Sequence, residues 1–238
     1  MTDYFNHDLF IFDLDDTLIN TRESYHLAQI EAVKKTFPHL KPNELDACIP
    51  DLKWFCKLFG SGNPGKYFSA FLKNRPTLFQ NSQENINALL EIYNQQFWSL
   101  LTCFKNAHSF LHHLKQIGKI VAIASNGIVA SQQKKLNTTG LNSYFSNDLC
   151  FISGDFDSSL KKPSPFLIQQ ACQQTGIPPE HTIFFGNIVS DMVAGKLAGA
   201  TTVYFGLSEI DLSILPDMAN PDMIWEKWPE VDMGKRPV

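Results

Sequence analysis

Residues 9–18 read Leu-Phe-Ile-Phe-Asp-Leu-Asp-Asp-Thr-Leu, four apolar strand formers in a row that stop at Asp13, Asp15, Asp16 and Thr17. An apolar run this short suits a parallel strand covered on both faces. In open α/β sheets, ligands bind just beyond the carboxyl ends of such strands. Carboxylates crowded at the tip of a buried strand need a counter-charge, and oxygen ligands at this density suit Mg²⁺, which keeps several waters and shares its other positions with substrate phosphate.

The rest of the chain is read outward from that strand. Residues 21–104 are almost wholly helical in pattern. Asn20 or Thr21 caps a helix that runs to Phe37 and is stopped by Pro38, and shorter helical segments follow near 51–59 and 65–73. Ser82 to Cys103 carries Ile86, Leu89, Leu90, Tyr93, Phe97, Leu100 and Leu101 at helical spacing. From about residue 106 short apolar strands alternate with helices. Strands are expected at 120–124, 149–152, 183–185 and 202–205, and helices at 108–117, 129–139, 163–175 and 190–198, several of them closed by glycine. Such alternation predicts βαβ units and a parallel sheet. The first strand has nothing else to pair with, so it joins that sheet and the helical block is an insertion. The expected architecture is α/β: a Rossmann-like parallel-sheet core formed by residues 1–20 and 105–238, and an all-helical cap domain at 21–104. The tail from Leu212 is expected to wrap the sheet edge, with Met223 and Ile224 able to add a short strand.

Each strand ends in a polar signal, and a parallel sheet brings those signals to one edge. Strand one supplies Asp13, Asp15 and Thr17, and the strand at 120–124 supplies Ser125, Asn126 and Gly127. Lys161 and Lys162 precede Pro163, and the strand at 183–185 supplies Gly186, Asn187 and then Asp191. Asp13, fixed by the strand itself, is a candidate carboxylate nucleophile able to form an aspartyl-phosphate. Asp15, two residues on, can project to the same face and serve as general acid and then base. The Ser125 hydroxyl can hold phosphoryl oxygens, and a lysine, with Lys162 favoured by its adjacency to Pro163, supplies a compact positive charge. Asp191, Asp13 and the main-chain carbonyl of Asp15 would hold Mg²⁺.

With these residues in view, the chain resembles the haloacid dehalogenase superfamily of phosphatases with a helical C1-type cap. FDLDDTL at 12–18, ASNG at 124–127, KKPSP at 161–165 and GNIVSD at 186–191 follow the family's four motifs in order. The resemblance implies Asp13 as nucleophile, Asp15 as acid and base, and Thr17, Ser125, Asn126 and Lys162 as substrate contacts. It implies a Mg²⁺ site drawn from Asp13, Asp15, Asp191 and Asn187. An acid at Asp15 argues against displacement of halide. Where the family usually has Gly-Asp, this chain has Gly186-Asn187, so a neutral amide stands where a carboxylate is expected. The implied activity is Mg²⁺-dependent hydrolysis of a small phosphomonoester, such as a sugar phosphate, phosphoglycolate or a nucleotide, through a phosphoaspartate. An alternative of another class is a catalytically weakened relative that binds a phosphorylated ligand or a protein partner. Transfer of a phosphoryl group within a sugar is a third.

Composition agrees with an ordinary globular chain: 238 residues, 44% hydrophobic, 18% charged, formal charge -4. No basic surplus points to nucleic acid, and no apolar run reaches membrane-spanning length. The partner expected is a small phosphorylated metabolite, and the sequence does not specify an oligomeric state. Five scattered cysteines without a CxxC pattern, and no signal-peptide pattern at the start, suggest reduced thiols and a cytoplasmic location. His108 and His112 at helical spacing read as surface histidines, the aromatics between Trp54 and Phe71 as core, and Arg22 and Arg75 as solvated.

Overall fold

The run at residues 9–12 becomes the central strand. In the computed structural model, which describes residues 4–206 and 216–231, β1 (Leu9–Phe12) is followed by β2 (Ile120–Ser125), β3 (Cys150–Ile152), β4 (Thr182–Gly186), β5 (Thr201–Phe205) and β6 (Met223–Trp225). All pair in parallel in the order β3-β2-β1-β4-β5-β6. Phe12 is in register with Ile123 on one side and Phe185 on the other. The order reverses direction between β1 and β4, which puts the topological switch point at the carboxyl end of β1. Every residue of β1 is fully buried, as expected of a strand covered on both faces.

Alternation along β1 divides the two faces. Leu9 and Ile11 pack with Ala122, Ala124 and Phe184 under α7 (Phe166–Thr175) and α8 (Val189–Ala198). On α8, a Cβ at Gly195 would come within 2.4 Å of the Thr202 methyl, so glycine lets the helix lie close on the sheet. Phe10 and Phe12 face an aromatic layer made by Phe110 of α5 (Ala107–Gln116), Phe185, Trp225 and Trp228. Trp228 is completely buried and stacks on Phe205 with ring centres 4.5 Å apart. Its indole N–H donates to the main-chain carbonyl of Thr17 at 3.1 Å. A tail residue thereby fastens the loop that follows β1. Trp228→Phe keeps a ring but removes the donor, and is expected to lower stability by about 1–3 kcal/mol, measured by urea unfolding; an unchanged midpoint would mean that the bond holds nothing.

The chain packs as two units, one holding residues up to Asn20 and from Cys103 onward, the other Thr21–Thr102. The first unit is resumed early, because Ile19 bridges to Cys103 and the Phe104 N–H donates to the Leu18 carbonyl. The second contains α1 (Thr21–Thr36), α2 (Pro42–Phe59), α3 (Pro64–Asn74) and α4 (Gln83–Leu100). Here α1 packs on α4, with Tyr25 stacked on Phe97 and the Ser24 hydroxyl donating to the Leu100 carbonyl. Tyr67, Phe68 and Phe71 are fully buried in this unit, whereas Trp54 is exposed. The helix expected at 51–59 begins nine residues earlier, at Pro42. Pro50 lies inside it without ending it, on an exposed position where the unpaired carbonyl one turn back can face water. Arg75 is not simply solvated: it pairs with Asp51 at 2.6 Å and donates to the Ala47 carbonyl, joining α3 to α2.

α6 (Val129–Thr138) follows β2, and β6 is the edge strand anticipated at Met223 and Ile224. Residues 212–215 and 232–238 of the tail lie outside the described residues. Among the described residues, no helix is long and apolar enough to cross a membrane.

Candidate active site at the carboxyl edge of the sheet

The Asp13 N–H extends the β1–β4 pairing by one step, donating to the Phe185 carbonyl at 2.8 Å, so the sheet fixes this residue's backbone. The chain then turns sharply. Asp16 adopts a left-handed conformation (φ 56°), which aspartate tolerates better than most residues, and its N–H returns to the Ile19 carbonyl. The turn leaves Asp15 partly exposed and Thr17 buried.

Lys162 is the centre of the site. Of the two adjacent lysines it is the one inside, its side chain 2% exposed, while Lys161 is exposed. Its ammonium lies 2.6 Å from Asp13 Oδ1 and 2.7 Å from Asp191 Oδ1, above the ring of Phe184. Burial works against the Lys162 charge, but Asp13 and Asp191 outweigh it and hold the group above the ordinary lysine range. Burial raises the Asp13 carboxyl to about 7; Lys162 opposes the rise, while Asp191 and Asp15 add to it. The backbone of Lys162 is held as firmly as its side chain. The Asn126 amide donates to the Lys162 carbonyl and accepts from the Lys162 N–H, both at 3.0 Å. Both ends of the Asn126 side chain, read from the sequence as a substrate contact, are thus occupied in placing Lys162.

Asp191 is fully buried in the first turn of α8, where its Oδ2 accepts from the N–H groups of Asn187 (3.0 Å) and Ile188 (3.2 Å). It serves as the helix cap that Ile188, with no side-chain acceptor, cannot be. A Cβ at Gly186 would come within 2.3 Å of the Asp191 Cβ, so glycine at the end of β4 is what admits the carboxylate. Asp191 Oδ1, although close to Lys162, makes no contact with hydrogen-bond geometry. The Asn187 carbonyl oxygen meets only a long contact, 3.5 Å, from the Thr17 hydroxyl.

Asp15 has partners that sequence reasoning did not identify. Lys135 of α6 places its ammonium 2.6 Å and 2.8 Å from the two carboxylate oxygens, and Gln132 of the same helix donates to Oδ2 at 2.8 Å. Gln132 Nε2 also lies 2.9 Å from the Ser125 hydroxyl. Lys135 and Gln132 are both buried. Both oxygens of its carboxylate are engaged in this way. The signal available in the sequence was the scarcity of large apolar residues on α6, whose buried side must then be filled by polar ones.

The geometry gathers Asp13, Asp15, Ser125, Lys162, Asn187 and Asp191 at the edge where the strand order reverses. Three carboxylates there face two buried ammonium groups. A strand-end carboxylate backed by a buried lysine thus lies at the switch point of a doubly wound, Rossmann-like α/β sheet. The chain belongs to the haloacid dehalogenase-like hydrolase family, whose pattern it matches over residues 10–205. It is 28% identical over 205 residues to a glyceraldehyde 3-phosphate phosphatase of Pyrococcus furiosus, covering 84% of this chain and 82% of that one. It is 26% identical to the pyrophosphatase PpaX of Oceanobacillus iheyensis, covering 91% of each. Among solved structures, a hydrolase of the same family from Deinococcus radiodurans R1, with bound phosphate and sodium, has the same fold: TM-score 0.67, 20% identity, and 92% of this chain and 91% of that one covered.

Proposed function

We propose that this protein is a Mg²⁺-dependent phosphatase of small phosphorylated metabolites that works through a phosphoaspartate on Asp13. The observation that carries the reading is the Lys162 ammonium held between Asp13 and Asp191, which leaves a strand-fixed carboxylate beside a buried positive charge able to receive a phosphoryl group. An oxygen of Asp13 attacks phosphorus as the bond from phosphorus to the ester oxygen breaks, and Asp15, which Lys135 holds as a carboxylate in the resting site and which takes up a proton before this step, delivers that proton to the departing oxygen. Asp15, now a carboxylate, takes a proton from a water that attacks the same phosphorus. The bond to Asp13 breaks, phosphate leaves, and Asp15 has regained its proton. Lys162 faces the charge on the phosphoryl oxygens, and the hydroxyls of Ser125 and Thr17 donate to them.

The donors at hand fit Mg²⁺. Among the described residues no three His, Cys, Asp or Glu side chains form a metal cluster, so donors other than Asp13 and Asp191 must be amide, main-chain and water oxygens. Asn187 Oδ1, whose contact with Thr17 is long, is an oxygen of that kind. Asp13, Asn187 and the Asp15 carbonyl would hold the ion, with Asp191 behind them. When bound it would offset negative charge on the phosphoryl group. Asn187→Asp adds one carboxylate to this set and is expected to tighten Mg²⁺ binding several-fold, read as a lower Mg²⁺ concentration for half-maximal thermal stabilisation. Unchanged or weaker binding would remove Asn187 from the ion's surroundings.

The relatives named for glyceraldehyde 3-phosphate and pyrophosphate, together with one named for phosphoglycolate, favour a small substrate over a polymer. A phosphate-release screen over sugar phosphates, phosphoglycolate and nucleoside monophosphates with Mg²⁺ tests the reading. Release from at least one of them is expected, and none from any would count against it.

A further inference from the structure

We propose that Lys135 and Gln132 are positioning residues for the acid–base step, a clamp on α6 that fixes where the Asp15 carboxyl group sits beside Ser125. The inference rests on the phosphatase reading above.

The clamp acts on an acid, Asp15, carried by a loop. The residue lies past the end of β1, its side chain is 29% exposed, and a left-handed residue follows it directly. Proton transfer requires an oxygen held within hydrogen-bond reach of the atom that takes the proton. The clamp supplies that restraint, since three contacts of 2.6–2.8 Å from two side chains of one helix engage both oxygens. The amide orientation of Gln132 is fixed by the chemistry, because turning it would place its oxygen against a carboxylate oxygen. Gln132 Nε2 also reaches the Ser125 hydroxyl and, at 3.3 Å, the Asn126 carbonyl, so one amide ties the acid to the end of β2. The remaining Gln132 oxygen is buried without a partner, a cost accepted at this position.

A purely structural role does not account for the arrangement. A buried lysine, here only 6% exposed, is often no better for stability than an apolar residue of similar size. What the lysine supplies, and an apolar residue cannot, is a fixed location for the carboxyl group.

The test compares p-nitrophenyl phosphate, whose leaving group departs readily without a proton, with phenyl phosphate, whose leaving group requires one. kcat/KM covers only the steps up to release of the phenol, so it isolates the acid role of Asp15. Lys135→Met is expected to lower kcat/KM for phenyl phosphate about ten-fold more than for p-nitrophenyl phosphate. Gln132→Ala is expected to shift the ratio in the same direction, and Lys135→Arg to restore part of it. If Lys135→Met loses its fold, Gln132→Ala decides. Equal losses on both esters would overturn the clamp while leaving the phosphatase reading intact. A parent protein that hydrolyses neither ester with Mg²⁺ would overturn that reading, and the clamp with it.

Discussion

Asp13→Asn is expected to abolish turnover, by about three orders of magnitude or more, and at the same time to make the metal-free protein more resistant to unfolding at neutral pH. The loss of turnover follows from removing the attacking oxygen. The gain in stability follows from electrostatics. The Asp13 carboxyl is raised from 3.8 to about 7, chiefly by burial. Between those values the unfolded chain has released its proton while the folded chain retains it, so stability falls as pH rises through that window and levels off above it. Asn carries no such penalty, and Lys162 keeps Asp191 as its partner. The stability difference between Asp13→Asn and the parent in EDTA should be small near pH 4, widen to about pH 7, reach a few kcal/mol and then stay constant. Mg²⁺, which the proposed site would hold against the parent's carboxylate, should narrow it. Thermal or urea unfolding across pH measures this, and a difference that shrinks with rising pH would contradict the assignment.

Lys162→Met is expected to do the opposite to stability. It leaves Asp13 and Asp191, 6% and 0% exposed, without the ammonium that both face. Removing one partner of a buried ion pair costs about 3–5 kcal/mol, because the remaining charge is left uncompensated. The neighbouring Lys161 is exposed, and Lys161→Met should shift stability by no more than about 0.5 kcal/mol. Above about pH 7, where the parent's Asp13 is ionised, adding Asp13→Asn to Lys162→Met should recover much of the loss, since one of the two stranded charges is then gone. Urea unfolding of the four variants is sufficient, and equal effects at Lys161 and Lys162 would refute the central position given to Lys162.

The features legible in the sequence share a physical basis. A strand buried on both faces must be apolar throughout, so Leu9 to Phe12 identify themselves, and the abrupt polar residues after them are conspicuous. The same logic finds the ends of β2 and β4, and the residue adjacent to Pro163 is the lysine that turns inward. The less legible features depend on residues whose composition misstates their environment. The helix expected near 51–59 starts at Pro42, because Pro50 rides on an exposed turn of α2. Lys135 and Gln132 invite no reading beyond the helix at 129–139, yet they are buried against Asp15 and Ser125. Trp228 lies in a Pro-rich tail with nothing in its neighbourhood to link it to Thr17, 211 residues away. For Lys135 and Trp228 the deciding partner comes from a distant part of the chain.

The charge balance of the site bears on its use of metal. With Asn187 in place of a carboxylate and Lys135 beside Asp15, three carboxylates are set against two ammonium groups. Such a site holds a cation less tightly than one with another aspartate, and opposes an incoming phosphate less strongly.

The most direct test of the account is to quench the protein in acid during turnover of a substrate found in the phosphate-release screen, then locate the added phosphoryl group by peptide mass spectrometry. The account predicts a phosphoryl group on the peptide carrying Asp13, absent from Asp13→Asn. Continued phosphate release by Asp13→Asn, or a phosphoryl group carried by a different residue, would contradict it.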